Sequence, residues 1–150
     1  MAEDLATFAR RGLVIVVASR DDAMRPEIAR GWGPEVAPDA TSATVCVAAA
    51  RDSRMGSNLA ANGAIAMTMG LPTTYQFFQL KGRVTAIEDA SAEQLARAEA
   101  HAAAFADEVV PLGLTREQGL RLFHPDLIAV SFDVHERYDQ TPGPGAGARV

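Results

Sequence analysis

Arg51, Ser53, Arg54 and Ser57 crowd into the stretch RDSRMGSNLAANG, residues 51–63. The segment follows an apolar, β-branched run and ends in Asn62-Gly63, so the pattern predicts a strand giving way to a helix of about two turns. The first N–H groups of a helix lack intrahelical partners and carry partial positive charge. Arginine adds a planar fork that matches the oxygens of a phosphate or carboxylate. Ser53, Arg54 and Ser57 are within reach of one anion placed at that terminus. The competing reading is a solvated helix capped by Asp52 or Ser53. Arg30 is a second candidate, a charged residue in the otherwise apolar run PEIARGWG, where a ligand contact competes with an ordinary hairpin surface position. Gln79 and Lys81 form a third, sharing one face of TYQFFQLKGRV beside Gly82.

The histidines offer little chemistry. His101 sits among alanines on a predicted helix and is expected at the surface. His124 lies in a His-Pro-Asp turn, and His135 stands near Asp133 in a strand. No pair has ligand spacing and no serine has a nearby base, so a metal centre and a hydrolytic triad both rank low. Cys46, the one cysteine, excludes an internal disulfide and is expected as a buried, inert thiol.

The elements that position these residues follow from periodicity. Residues 3–11 suit a short helix, 12–19 (GLVIVVAS) a strand, 20–23 a polar turn, and 26–33 (PEIARGWG) the returning strand. A third strand, 41–50, precedes the helix, and a fourth, 64–70, follows it. The longest strand, 74–89, places Phe77, Gln79, Lys81 and Arg83 on one face and Phe78, Leu80 and Val84 on the other. Ser91-Ala-Glu-Gln94 and Thr115-Arg-Glu-Gln118 are capping boxes, opening a helix to about Val109 and a short one to Phe123. A last strand, 127–137, alternates Ile128, Val130, Phe132 and Val134 against Ser131, Asp133 and His135. The tail TPGPGAGARV is expected to lack regular structure and to be mobile or laid along a partner. Six strands with short turns and one long helical excursion predict a mainly β fold, a six-stranded antiparallel barrel with attached helices, rather than a parallel βαβ sheet. The domain is expected over 1–140, with the tail at 141–150.

Composition narrows the function. The chain has 150 residues, 19 acidic against 14 basic, for a net charge of −5. Its basic residues are scattered, which argues against a nucleic-acid partner. No apolar run reaches membrane-spanning length, and GLVIVVAS is too short and too closely flanked by charge for a signal peptide, so a cytoplasmic protein is expected. Much of the 48% hydrophobic content is alanine, which buries little area per residue and favours a dimer.

Taken together, the RPEIARGWG strand, the ARDSRMGSNLAANGAIAMT strand–helix–strand, the TYQFFQLKGRV strand and the closing SFDVHERYDQTPGPGAG resemble the pyridoxamine 5′-phosphate oxidase-like, FMN-binding split barrels. The resemblance covers roughly residues 10–145. It implies an FMN-binding split barrel and a homodimer with flavin at the subunit interface. It further implies flavin-dependent oxidoreductase chemistry on a small substrate, with no catalytic side chain identified. In that family a Ser-Arg-Lys run holds the flavin phosphate; Ser53 and Arg54 match its first two positions, and Met55 stands in place of the lysine. Arg51, Ser57 and Lys81 are the residues available to compensate. By the same resemblance Arg30 and Trp32 on the second strand, with Gln79 and Lys81, would surround the ring, and Phe77 competes with Gln79 for the slot of a flavin-binding glutamine. The chain lacks the C-terminal extension that carries substrate recognition in the oxidase itself. Alternatives within the fold are a haem-binding or haem-degrading barrel with a ligand such as His124, or a deazaflavin-using reductase. Outside enzymology, the alternative is a non-catalytic flavin carrier or sensor with a weakened cofactor site, which Met55 keeps open.

Overall fold

The computed structural model describes residues 4–150. Six antiparallel strands close on themselves: β1 (Val14–Arg20), β2 (Pro26–Val36), β3 (Ser42–Val47), β4 (Ala64–Leu71), β5 (Gln76–Asp89) and β6 (Ile128–Asp139). They run in the order β3-β2-β1-β4-β5-β6, and the β3–β6 pairing seals the barrel. Closure removes the unpaired edges that make open sheets sticky. The predicted barrel is therefore the observed one.

Alternation decides which side chains fill it. Ile15, Val17, Val45, Val47, Met67, Met69, Leu80, Val130 and Phe132 point inward and are fully or almost fully buried. Each of the larger ones contributes about 2–3 kcal/mol by leaving water. The apolar faces predicted for the fifth and last strands turn toward the core, although Phe78, Val84 and Val134 are only partly buried. Two register shifts, at Lys81/Gly82 and Val84/Ala86, bend β5 around the barrel.

Helices cover the remaining surfaces. Helix α1 (Leu5–Phe8) is shorter than the predicted 3–11, whose first residue lies outside the described ones. Helix α2 (Arg54–Asn62) starts on Ser53, whose Oγ accepts the Gly56 N–H at 3.1 Å, and stops at Gly63 in the left-handed region. Both predicted capping boxes are present, opening α3 (Ala92–Glu108) and α4 (Arg116–Leu120). Helix α3 lies over a second core made of Trp32, Cys46, Ala98, Ala102, Phe105, Val109 and Leu127. Its backbone passes so close to Gly33, which has φ +57, that a Cβ there would lie 2.8 Å from the Ala98 nitrogen. Only glycine allows that approach.

Two expectations are corrected by the fold. The tail is not irregular throughout: Ala148–Arg149 forms a short strand, β7, pairing with Tyr138 and Asp139. The Pro/Gly-rich stretch before it is the turn that sends the chain back, and Gly147 N–H and Val150 N–H bond to the Asp139 and Arg137 carbonyls. His101 is not a surface residue. It is 7% exposed on the buried face of α3, where its Nδ1 accepts the Gly33 N–H at 3.0 Å. The alanines around it are small because α3 is packed close, not because the helix faces water.

Candidate functional site

Outside the barrel, strand register assembles residues that lie far apart in sequence. Reading across the sheet, Arg30 pairs with Val16, Val16 with Thr68, Thr68 with Gln79, and Gln79 with Tyr138. Residue Arg149 of β7 then pairs with Tyr138. The neighbouring row runs Ile28, Ala18, Ala66, Lys81, Glu136. Strands lie about 4.8 Å apart, so Arg30 and Gln79 stand roughly 14 Å from each other. Between them the floor is Val16, Ala18, Ala66 and Thr68, small side chains that leave the sheet flat and half-exposed. Ile28 is 68% exposed beside it.

Polar groups rim this floor. Gln79 Nε2 donates to Thr68 Oγ1 at 3.0 Å. The Lys81 ammonium lies 5.2 Å from the centre of the Tyr138 ring, and the Tyr138 hydroxyl donates to the Glu136 carboxylate in a short hydrogen bond. That bond holds the Glu136 carboxyl below its usual range, with Arg149, Lys81 and His135 adding favourable charge, while the same contact pushes the Tyr138 phenol up. Phe77 is not free to reach a ligand in the glutamine's place: it lies opposite Gly70, and its ring occupies the space a Cβ on Gly70 would fill. Gln79 is the residue in the row with Arg30.

At one edge of the face stands the N-terminus of α2. Ser53 Oγ is already engaged, accepting from Gly56 N–H and donating to the Ala50 carbonyl at 2.5 Å. Arg54 is 74% exposed and pairs at 3.6 Å with Glu27, the neighbour of Ile28. Ser57 is exposed on the same turn. Exposed ion pairs contribute about 0–1 kcal/mol, so Arg54 can leave Glu27 for an incoming anion at little cost.

Two sequence candidates, Arg51 and Trp32, separate from this group, and so does Met55, which stands where the resemblance expected a lysine. Arg51 turns away to Asp89, at the far end of β5, at 3.2 Å. Trp32, considered as a stacking platform, is 2% exposed in the second core, with edge-to-face contacts to His101, Phe105 and Phe123. Regular alternation puts it on the same outer face as Ile28 and Arg30, and α3 covers that face at this end of β2. Met55 is also 2% exposed and packs in the main core, so its position offers no cation to the surface. The residues that sequence reasoning missed are Glu136, Tyr138 and Arg149. Simple alternation along β6 would put Tyr138 on the inward face with Val134. The register shift at His135 turns Glu136 and Tyr138 outward, and Arg149 depends on a strand hidden in the tail. His124 and His135 are exposed, and among the described residues no cluster of three His, Cys, Asp or Glu side chains is placed to hold a metal. No described helix is long and apolar enough to cross a membrane.

No protein-family model matches the sequence, and a search of curated proteins finds no match. Solved structures do match. The HupZ protein of Group A Streptococcus is 15% identical with a TM-score of 0.57, covering 98% of this chain and 100% of its own. A protein named F420 reductase is 16% identical at TM-score 0.54, covering 91% and 98%. A Lactobacillus delbrueckii protein bearing the name pyridoxamine 5′-phosphate oxidase is 9% identical at TM-score 0.55, covering 92% and 93%. At such identities the likeness is one of fold, and the chain is a split barrel of the kind found in pyridoxamine 5′-phosphate oxidase-like proteins.

Proposed function

We propose that this chain binds FMN on the outer face of β1, β4 and β5 and works as a flavin-dependent oxidoreductase on a small substrate. One observation carries the reading: a flat floor of Val16, Ala18, Ala66 and Thr68, bounded by Arg30, Gln79 and Lys81, with the N-terminus of α2 at its edge. A planar ring needs an apolar floor with a few fixed polar groups at its margin. Its phosphate needs a cation and free amides, which Arg54 and the first turn of α2 supply. FMN, when bound, supplies hydride or electron transfer; the protein holds and orients it and limits access to it. With Met55 in the core, Arg54 is the side chain that meets the phosphate charge, and Lys81 stands at the ring's margin. The face is open on a single chain, and a homodimer would cover it with a second copy.

Similarity to a protein named F420 reductase makes a deazaflavin the second reading. Titration of the purified protein with FMN, followed by flavin fluorescence, tests the proposal. Binding at micromolar concentration or tighter is expected, weakened about tenfold or more in Gln79→Ala and in Arg54→Ala. Removing a charge-assisted hydrogen bond costs about 1.5–3 kcal/mol. An intact protein that binds neither FMN nor a deazaflavin would be an empty barrel, and the reading would fail.

A further inference from the structure

A cavity of about 790 Å³ lies away from this face. It opens between α1, the bulged end of β2, the start of β3, the β5 bulge and α3, and its lining includes none of Arg30, Thr68, Gln79 or Lys81. Its volume is that of a small-molecule pocket. Arg10 and Arg97 stand in its wall, and both also border an adjoining cavity of about 180 Å³. Arg97 is held in place by Glu35 at 2.9 Å and Glu93 at 3.5 Å. The Arg10 guanidinium makes no polar contact among the described residues.

Hydroxyls converge on the same space. Thr44 Oγ1 and Ser131 Oγ, cross-strand neighbours, lie 3.0 Å apart, and Ser42 also lines the cleft. Thr85 lies in the register shift between Val84 and Ala86, the kind of bulge that re-aims a side chain. Ala6, Ala37 and Pro38 add an apolar part of the wall.

We propose that this cleft is a second binding site, for a small hydroxylated organic acid. A carboxylate fits the guanidinium fork of Arg97 by displacing Glu35, whose side chain is 62% exposed and therefore weakly held, and Arg10 adds a cation that is otherwise unmatched. Hydroxyl groups on the ligand match Ser42, Thr44, Thr85 and Ser131. Inorganic phosphate would meet the arginines and the hydroxyls but leave most of the cleft's volume unfilled, which is why an organic acid is the better occupant. The second site stands apart from the flavin reading, since the two share none of the residues invoked.

The test is amide chemical-shift mapping on the ¹⁵N-labelled full chain with three probes: malate, its neutral diamide, and inorganic phosphate. Malate should shift Ser42, Thr44, Thr85 and Ser131 saturably and leave Thr68 and Gln79 unmoved; the diamide should not shift them. Arg97→Gln and, independently, Arg10→Gln should each weaken malate at least tenfold, in variants whose spectra remain dispersed. Absence of saturable shifts, equal shifts with the diamide, or unchanged affinity in both folded variants would overturn the site. Phosphate binding as tight as malate would overturn the ligand class.

Discussion

Arg54 and Met55 are adjacent in sequence and point in opposite directions, one into water and one into the barrel core. A motif comparison treats the pair as two halves of one anion site, whereas the helical rotation of about 100° per residue assigns them to different environments. Burial similarly explains His101. Removal from water pushes its imidazole down to about 4, and the Leu13 backbone opposes this only in part. In the unfolded chain the same group titrates near 6.5. Its folded pKa is depressed, so the neutral form stabilises the protein fully above pH 6.5. That contribution, on the order of 3 kcal/mol, is lost as pH falls from about 6.5 toward 4. Urea denaturation at pH 7.5 and pH 5 should show this fall in the parent protein. His101→Asn, which keeps an acceptor for the Gly33 N–H but does not titrate, should show a markedly smaller one. Cys46 follows the same logic: burial raises its thiol, against a smaller lowering by Arg97, so a thiol reagent should react with it only after unfolding.

At the scale of elements, capping and alternation carried most of the information. The two capping boxes are visible as Ser91/Gln94 and Thr115/Gln118 and form as such. Ser91→Ala should cost about 1 kcal/mol. A loss of that size lowers the melting temperature by roughly 2–4 °C in a domain of this length, measurable by calorimetry. The outward set Gln79, Lys81 and Arg83 was legible because a strand alternates with period two and β4 pairs with it in unbroken register. Trp32 was not legible, because α3 covers the outer face of β2 at that point and no residue type in the strand announces a packing between segments so far apart in sequence. Arg149 was hidden for a related reason: Pro and Gly mark a turn without revealing that a strand lies beyond it. Candidate residues on regular, uncovered strands could be placed, and those beyond an irregularity or beneath a distant helix could not.

At the scale of the whole molecule, a sheet face built from Val16, Ala18, Ala66 and Thr68 beside the exposed Ile28 is an unusual surface for a monomer. A second copy is the expected cover. Light scattering on the parent protein should give the dimer mass. Ala18→Arg, which places a charge at the centre of the face without touching either core, should give a monomer that binds FMN at least tenfold more weakly. A monomeric parent protein would remove the reason for assigning the face to an interface.

Flavin binding of this kind requires a ring lying on the face while its phosphate meets Arg54. Comparing FMN with riboflavin by calorimetric titration isolates the phosphate contact while holding the ring constant. FMN should bind at least tenfold more tightly than riboflavin to the parent protein, and Arg54→Ala should bring the two affinities together by weakening FMN alone. Equal affinities in the parent protein, or a preference for FMN that survives in Arg54→Ala, would contradict that placement.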